Sequence, residues 1–348
     1  MLSHDGQSVA YSASNGATFA THIDGTRLDD GVSWTWPAAK RIRIRNRDLT
    51  MLDGAAMTPV GEPRHFIVSA DGETYAYVGS RDGDVVVVNG TPHKQFGAVA
   101  LYDERTSPIV LSADGKHVVY PAGKGVAYDN KWFDTQLPPD RPVALSPDGT
   151  RWAARVGKEG SQRVFVDGTA GKEYHAVSEG FPRRDVADRV TTPPIIAFSP
   201  DGKQVAYAAV IRYEDEKKQT RYARVMVKDG AEQPRFAWVS STRAFSPDGR
   251  RLAYLSADSE DGEWHVTVDG VRVGKGYGGV PAFSPDSKSI GLLGKRPGDV
   301  FAVLDNQEQK AYDAVGPEGT RVGFTPDGRY TFIGVREGAY YWVEARRK

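Results

Sequence analysis

The stretch FSPDGKQVAY, from Phe198 to Tyr207, recurs in eight versions along a chain of 348 residues, and no other feature constrains the fold as tightly. The others are LSHDGQSVAY from Leu2, VSADGETYAY from Val68, LSADGKHVVY from Leu111, LSPDGTRWAA from Leu145, FSPDGRRLAY from Phe245, FSPDSKSIGL from Phe283 and FTPDGRYTFI from Phe324. Their aspartates are Asp5, Asp71, Asp114, Asp148, Asp201, Asp248, Asp286 and Asp327, separated by 66, 43, 34, 53, 47, 38 and 41 residues. Such a period lies near the roughly 40 to 50 residues of a four-stranded propeller blade.

A second turn follows seven of the eight, as HIDG at Gly25, VVNG at Gly90, YDN at Asn130, FVDG at Gly168, VKDG at Gly230, TVDG at Gly270 and VLDN at Asn306. Asp-Gly and Asn-Gly suit tight hairpins because glycine accepts positive φ and the Asp or Asn side chain bonds nearby amides. Each unit therefore reads as strand, turn, strand, loop, strand, turn, strand. In the strand after the first turn, Val205 and Tyr207 share one side while Ala206 leaves room on the other, as a sheet packed on both faces requires. Radial stacking of such sheets buries both faces and shortens the exposed edges. The Asp of the first motif is read as a turn residue. Eight equivalent carboxylates distributed around a ring cannot converge on one ion.

FSPDGKQVAY and FSPDGRRLAY closely resemble the TolB-like, WD40-like (PD40) β-propeller repeats; LSPDGTRWAA and FTPDGRYTFI match well, and the other four more loosely. The resemblance covers nearly the whole chain. It implies an all-β fold, a single β-propeller of four-stranded antiparallel blades over residues 1–348, with eight blades favoured over seven. It implies little about activity, because propellers of this kind serve as interaction platforms, accessory domains and occasionally enzymes.

Lys plus Arg and Asp plus Glu both number 45, so no net field steers the chain toward nucleic acid or an anionic membrane. The absence of cysteine excludes disulfides, thiolate nucleophiles and cysteine metal sites. No apolar run approaches the roughly 20 residues of a membrane helix, and the opening MLSHDGQSVA lacks the basic and apolar parts of a signal peptide. Removal of a signal before this chain was made stays open, and a bacterial periplasmic or secreted location is expected over a cytoplasmic one. A monomer is expected.

Function belongs where the repeat is broken. The 66-residue first interval holds an apparent insertion near 32–63, in which Arg41, Arg43, Arg45 and Arg47 alternate with Ile42 and Ile44. This is a strand with one basic face. It reads either as an edge strand protected by charge or as a contact for phosphate, acidic polysaccharide or nucleic acid. Trp34 and Trp36 beside it are packing residues or stacking platforms. Long loops near 179–193, with Arg183 and Arg184, and near 212–222 extend the candidate recognition surface. The expected ligand-binding residues are Trp34, Trp36, Arg41, Arg43, Arg45, Arg183 and Arg184.

No G-x-S-x-G elbow, H-E-x-x-H or P-loop is present. The histidines, His4, His22, His65, His93, His117, His175 and His265, form no local metal pair. They also fall at inequivalent repeat positions, which weakens the comparison with oligogalacturonate lyases, where similar repeats hold a metal chiefly through histidines. Asp82 and Asp84 read as a turn rather than a calcium site. The resulting expectation is a non-catalytic binding or scaffold protein using one face or the central channel for a protein or carbohydrate ligand. It needs no metal or other cofactor, and neither nucleic acid nor membrane insertion is expected. The alternative is a carbohydrate-active lyase or glycoside hydrolase with an axial pocket and catalytic residues not identified.

Overall fold

A computed structural model describes residues 10–14, 19–23, 26–27, 33–35, 43–46, 49–52 and 55–56. From 59 onward it describes all but 62, 81, 101–106, 137–138, 140–142, 179–195, 260–261, 276–280, 297, 317–322 and 346–348. These residues form two compact units: 1–157 with 165–170, and 158–164 with 171–348.

The architecture is all-β. Among the described residues there are nine antiparallel sheets, most of them four-stranded meanders of the kind that forms a propeller blade. Eight follow the eight motifs. The ninth lies in the stretch read as an insertion, as strands Ser33–Thr35, Arg43–Asn46, Leu49–Leu52 and Ala55–Ala56. This sheet carries no copy of the motif, because the sequence between its first two strands has no Asp-Gly.

The recurrent motif is a hydrogen-bonded lock. In the sheet built on Ile196–Phe198 and Val205–Glu214, Gly202 N–H donates to Ser199 O at 2.9 Å and Ser199 N–H to Gln204 O at 2.9 Å. The Ser199 hydroxyl donates to Asp201 Oδ1 at 2.6 Å and accepts Gln204 N–H at 2.9 Å. The serine–aspartate bond repeats at Ser69, Ser112, Ser146, Ser246 and Ser284, and Thr325 makes it to Asp327, all between 2.5 and 2.7 Å. The glycine is required by conformation and by space. Gly115 has φ +65, and a Cβ there would lie 2.3 Å from Thr74 Oγ1 in the preceding sheet. Ser287 stands at the glycine position with φ 62, and its hydroxyl accepts Asp248 N–H from the preceding sheet at 3.0 Å. The motif therefore joins sheets as well as turning the chain.

The second turn has positive φ at both central residues, as in Asp129–Asn130, Asp167–Gly168 and Asp305–Asn306, which is the type I′ geometry that favours Asp, Asn and Gly. Its carboxylate or amide caps the strand after the first turn. Val118, Trp152, Val205, Leu252 and Ile290 donate their N–H groups to Asp129, Asp167, Asp229, Asp269 and Asp305 at 2.8–3.1 Å. His117 Nδ1 lies 2.7 Å from Asp129 Oδ2, so this histidine belongs to the same lock.

Hydrophobic clusters lie between consecutive sheets. In the first unit Val78 and Val86 pack with Val118 and Tyr120, and Val119 and Val126 with Trp152 and Ala154. In the second, Ala206 and Met226 pack with Leu252 and Tyr254, and Ala253 and Val266 with Leu292 and Phe301. The small residues of the alternating strands, Ala76, Ala153, Ala206 and Ala253, are 0% exposed, as expected where two backbones approach closely.

Several first strands depart from the regular pairing. Ala176–Ser178 and Ile196–Phe198 both pair with Val205–Glu214, at positions 208–210 and 205–207. Ala314–Val315 and Gly323–Phe324 likewise both pair with Tyr330–Arg336, and a bulge separates Val239 from Arg243. The wide interval between Asp148 and Asp201 includes the 17 residues between Ala176–Ser178 and Ile196–Phe198.

The repeated lock predicts a pH dependence. Hydrogen bonds from Ser112 and from Lys116 N–H hold the Asp114 carboxyl at about 2, below the ordinary 3.8. Asp71, Asp148, Asp201, Asp248, Asp286 and Asp327 are lowered chiefly by the same Ser or Thr hydroxyl. A depressed folded pKa contributes stability that is complete above the unfolded value and is lost as pH falls through the folded value. The urea midpoint is therefore expected to be insensitive to these groups above pH about 5 and to fall between pH about 4 and 2. Ser112→Ala should reduce that slope, and an unchanged slope would contradict the assignment.

Candidate functional site

The longest hairpin in the described structure pairs Val205–Glu214 with Thr220–Lys228, in register out to Glu214 and Thr220. Its tip is ordered by Asp215, whose Oδ1 accepts Lys217 and Gln219 N–H at 2.9 Å and whose Oδ2 pairs with Arg221 at 2.9 Å. The 212–222 stretch is thus a continuation of two sheet strands around a short turn. Strand alternation puts Tyr207, Ala209, Ile211 and Tyr213 on one side. Tyr207 and Ile211 are buried, whereas Tyr213 emerges to 37% exposure.

A connecting segment, 171–175, lies along this side and is fixed at both margins. Tyr174 and Gln162 exchange backbone hydrogen bonds at 2.7 and 2.9 Å, His175 N–H donates to Val210 O at 3.0 Å, and Gly160 N–H donates to His175 O at 2.7 Å. Between segment and hairpin is a groove of about 340 Å³ within the second unit. Tyr174 and Ile211 form its buried floor, and Lys172, Arg212, Glu232 and Arg235 stand on its rim.

Both carboxylates that line the groove, Glu232 and Glu173, have cationic partners. Glu232 meets Lys172 Nζ at 2.6 Å, and Glu173 meets Arg163 at 2.5 Å. The Arg163 bond holds the Glu173 carboxyl below its ordinary range, so Glu173 stays ionised near neutral pH and is a poor general acid. The Arg235 guanidinium lies 5.4 Å from the centre of the Tyr213 ring, and His175 packs on Tyr222 at 4.9 Å. Tyr174 meets Tyr207 edge to face at 6.1 Å. Burial, and Tyr207 and Glu232 beside its hydroxyl, push the Tyr174 pKa upward. Burial raises Tyr207 to about 12. Both phenols are neutral at physiological pH. The arrangement can hold a polar ligand over an aromatic floor.

Trp34 falls on strand Ser33–Thr35 opposite Ile44, while Arg43 and Arg45 fall opposite Thr35 and Ser33. Trp36, Arg41, Arg183 and Arg184 lie outside the described residues. Asp84 bonds Arg64 at 2.5 Å and Val99 N–H at 3.0 Å, and Asp82 occupies a turn at φ 53. Among the described residues, no group of three or more His, Asp or Glu side chains is arranged to hold a metal ion, and no helix is long and apolar enough to cross a membrane.

Sequence reasoning marked the 212–222 hairpin but missed the opposing segment, because Lys172, Glu173, Tyr174 and His175 match no motif and follow an ordinary second turn. The available signal was the concentration of charged and aromatic residues in that segment and in the hairpin.

No protein-family model and no curated protein matches the chain. Solved structures with which it aligns include "Oligogalacturonate lyase in complex with manganese", at 11% identity over 98% of this chain and 97% of the other, with a TM-score of 0.36. Hydrazine synthase of Kuenenia stuttgartiensis aligns at 15% identity over 93% and 99%, TM-score 0.31. TolB of Acinetobacter baumannii aligns at 12% over 86% and 78%, TM-score 0.28. Names of enzymes thus stand beside one that names no reaction. Similarity this distant carries no argument about what this chain does.

Proposed function

We propose that the chain is a non-catalytic ligand-binding protein built on a β-propeller of TolB-like repeats, and that the groove between residues 171–175 and the 205–228 hairpin is its binding site. The observation that carries this reading is the pairing of both carboxylates that line the groove with cations over a floor of neutral phenol and aliphatic side chain. Such a site has polar groups for orientation and an apolar surface for contact. It offers no free acid–base pair among the described residues that line it. A volume of about 340 Å³ suits a sugar-sized molecule or one unit of a longer carbohydrate.

The test is chemical-shift mapping of the whole chain against a panel of neutral and acidic monosaccharides and sugar phosphates. Saturable shifts concentrated at Gly160, residues 172–175, Ile211 and Arg212 are expected for at least one compound. If no compound perturbs these residues, or if all saturable shifts lie elsewhere, the groove is not the site.

A further inference from the structure

The strand Ala339–Ala345 differs from its equivalents in pairing and in burial. In each of the eight other sheets the equivalent strand pairs on both sides, whereas among the described residues this one pairs only with Tyr330–Arg336. Residues 300–304 and 85–87 on two of the equivalent strands are buried, but Tyr340, Tyr341 and Trp342 are 66%, 46% and 62% exposed. Tyr340 and Trp342 lie opposite Val335 and Ile333 on one face, and Tyr341 lies opposite Gly334 on the other. Exposure on both faces marks an open edge.

Sheet edges are ordinarily blunted by shortness, charge, proline or a bulge. The outer strands of other sheets carry these features. Thr26–Arg27, Thr91–Pro92 and Ala231–Glu232 have two residues each, and Val271–Lys275 and Gln307–Tyr312 carry charged residues and pair through a register shift. Ala339–Ala345 has seven residues in unbroken register, with no proline, lysine or arginine. Its one charged side chain, Glu344, is engaged by Arg329 at 2.5 Å. A regular, apolar edge of this length is a template for another strand.

Hydrogen-bond geometry selects the register. Glu337 and Gly338, with φ 50 and 75, form a two-residue turn that closes on the hydrogen-bonded pair Arg336 and Ala339. Alternation then turns the N–H and C=O groups of Tyr340, Trp342 and Glu344 outward. Antiparallel self-pairing about Trp342 lets these groups bond across the axis and pairs all seven residues. It sets Trp342 against its counterpart and Tyr340 against Glu344, so no like charges oppose each other.

We propose that Ala339–Ala345 pairs with the same strand of a second copy of this chain about a two-fold axis at Trp342. The other side of the strand is taken by Tyr330–Arg336, so the association closes at two copies. The exposed parts of the three rings on both copies amount to on the order of 700 Å². That area lies at the low end of association interfaces, which begin near about 1,200 Å² for stable complexes, so the dimer is weak and depends on concentration. It departs from the monomer expected from the sequence, because alternation identifies a strand without showing whether its outer edge is paired.

The experiment is sedimentation equilibrium of the full chain over about 1–200 µM, the range in which a weak dimer forms and dissociates. The average mass is expected to rise with concentration from one chain toward two and not beyond. Trp342→Lys removes the central aromatic pair and opposes two ammonium groups, and should weaken association at least about tenfold. Val271→Lys, at a 65% exposed position on another outer strand, should leave it unchanged. Melting temperatures measured at the dilute end separate lost association from lost folding. The chain has no cysteine, so Trp342→Cys supplies a second readout. Paired residues at the axis have Cα atoms about 5.5 Å apart, within disulfide range. Diamide should therefore join two Trp342→Cys chains and leave Val271→Cys chains single. A single-chain mass at every concentration, growth beyond two chains, or association untouched by Trp342→Lys overturns the proposal, as does equal loss in Val271→Lys. If Trp342→Lys does not fold, the cross-link decides, and its absence in Trp342→Cys overturns the proposal.

Discussion

Gly291→Ala should lower stability by about 1–3 kcal/mol, the range for forcing a methyl group into a packed interior. A Cβ at Gly291 would lie 2.4 Å from two ring carbons of Tyr330 in the next sheet. Tyr330 is 0% exposed and packs with Ala302, Leu304 and Phe332, so the ring has little freedom to retreat. Tyr330→Ala alone should cost about 3–5 kcal/mol through the cavity it leaves. The double variant separates steric conflict from a generic effect of the substitution. With the ring gone, the added methyl group has no opponent, so Gly291→Ala should cost nothing further in the Tyr330→Ala background. Urea denaturation of the four proteins reads this coupling, and additive losses would show that sheet packing does not depend on this close approach.

The same pair shows how much of the fold was legible. Val205-Ala-Tyr and Leu252-Ala-Tyr displayed the small residue as an alternation, and in Ile290-Gly-Leu the structure sets the corresponding Gly291 against the Tyr330 ring of the next sheet. Positive φ at Asp129, Asp167 and Asp305 was likewise implied by the second turn, because few other residues tolerate that geometry. Two features were hidden for physical reasons. The 33–56 sheet has no Asp-Gly between its first two strands, so a count of the first motif passed over it, although Asp53-Gly54 stands in the sequence between its last two and its strands pair as regularly as the others. The inter-sheet role of the first motif was also hidden. The hydrogen bond from Asp248 N–H to Ser287 depends on the approach of turns 39 residues apart in the chain, which spacing alone does not reveal.

The groove was legible on one side only. Tyr213, Tyr222 and Arg212 stood out as a charged and aromatic extension beyond the repeat. Lys172, Tyr174 and His175 acquire their positions from backbone bonds to Gly160, Gln162 and Val210, and a connecting segment announces such bonds by no periodicity. The basic strand illustrates the reverse difficulty. Alternation made Arg43 and Arg45 conspicuous, but a strand pattern specifies faces and not what those faces meet.

Two substitutions distinguish the repeated scaffold from the binding site. Asp201 accepts hydrogen bonds from Ser199 and Lys203 and lies against the Gly249 position of the next sheet. Asp201→Ala should therefore lower the unfolding midpoint and leave ligand affinity unchanged at temperatures where the chain is folded. Lys172 lies on the groove rim, with its ammonium 5.7 Å from the centre of the Tyr174 ring. Lys172→Trp should lay an indole across that opening and abolish binding, at a stability cost of about 1 kcal/mol or less for one exposed ion pair. The decisive measurement is calorimetric titration of both folded variants with the compound that perturbs the groove most strongly. Retained binding by Asp201→Ala and lost binding by Lys172→Trp is the predicted result; undiminished binding by Lys172→Trp, or loss in folded Asp201→Ala, would contradict it.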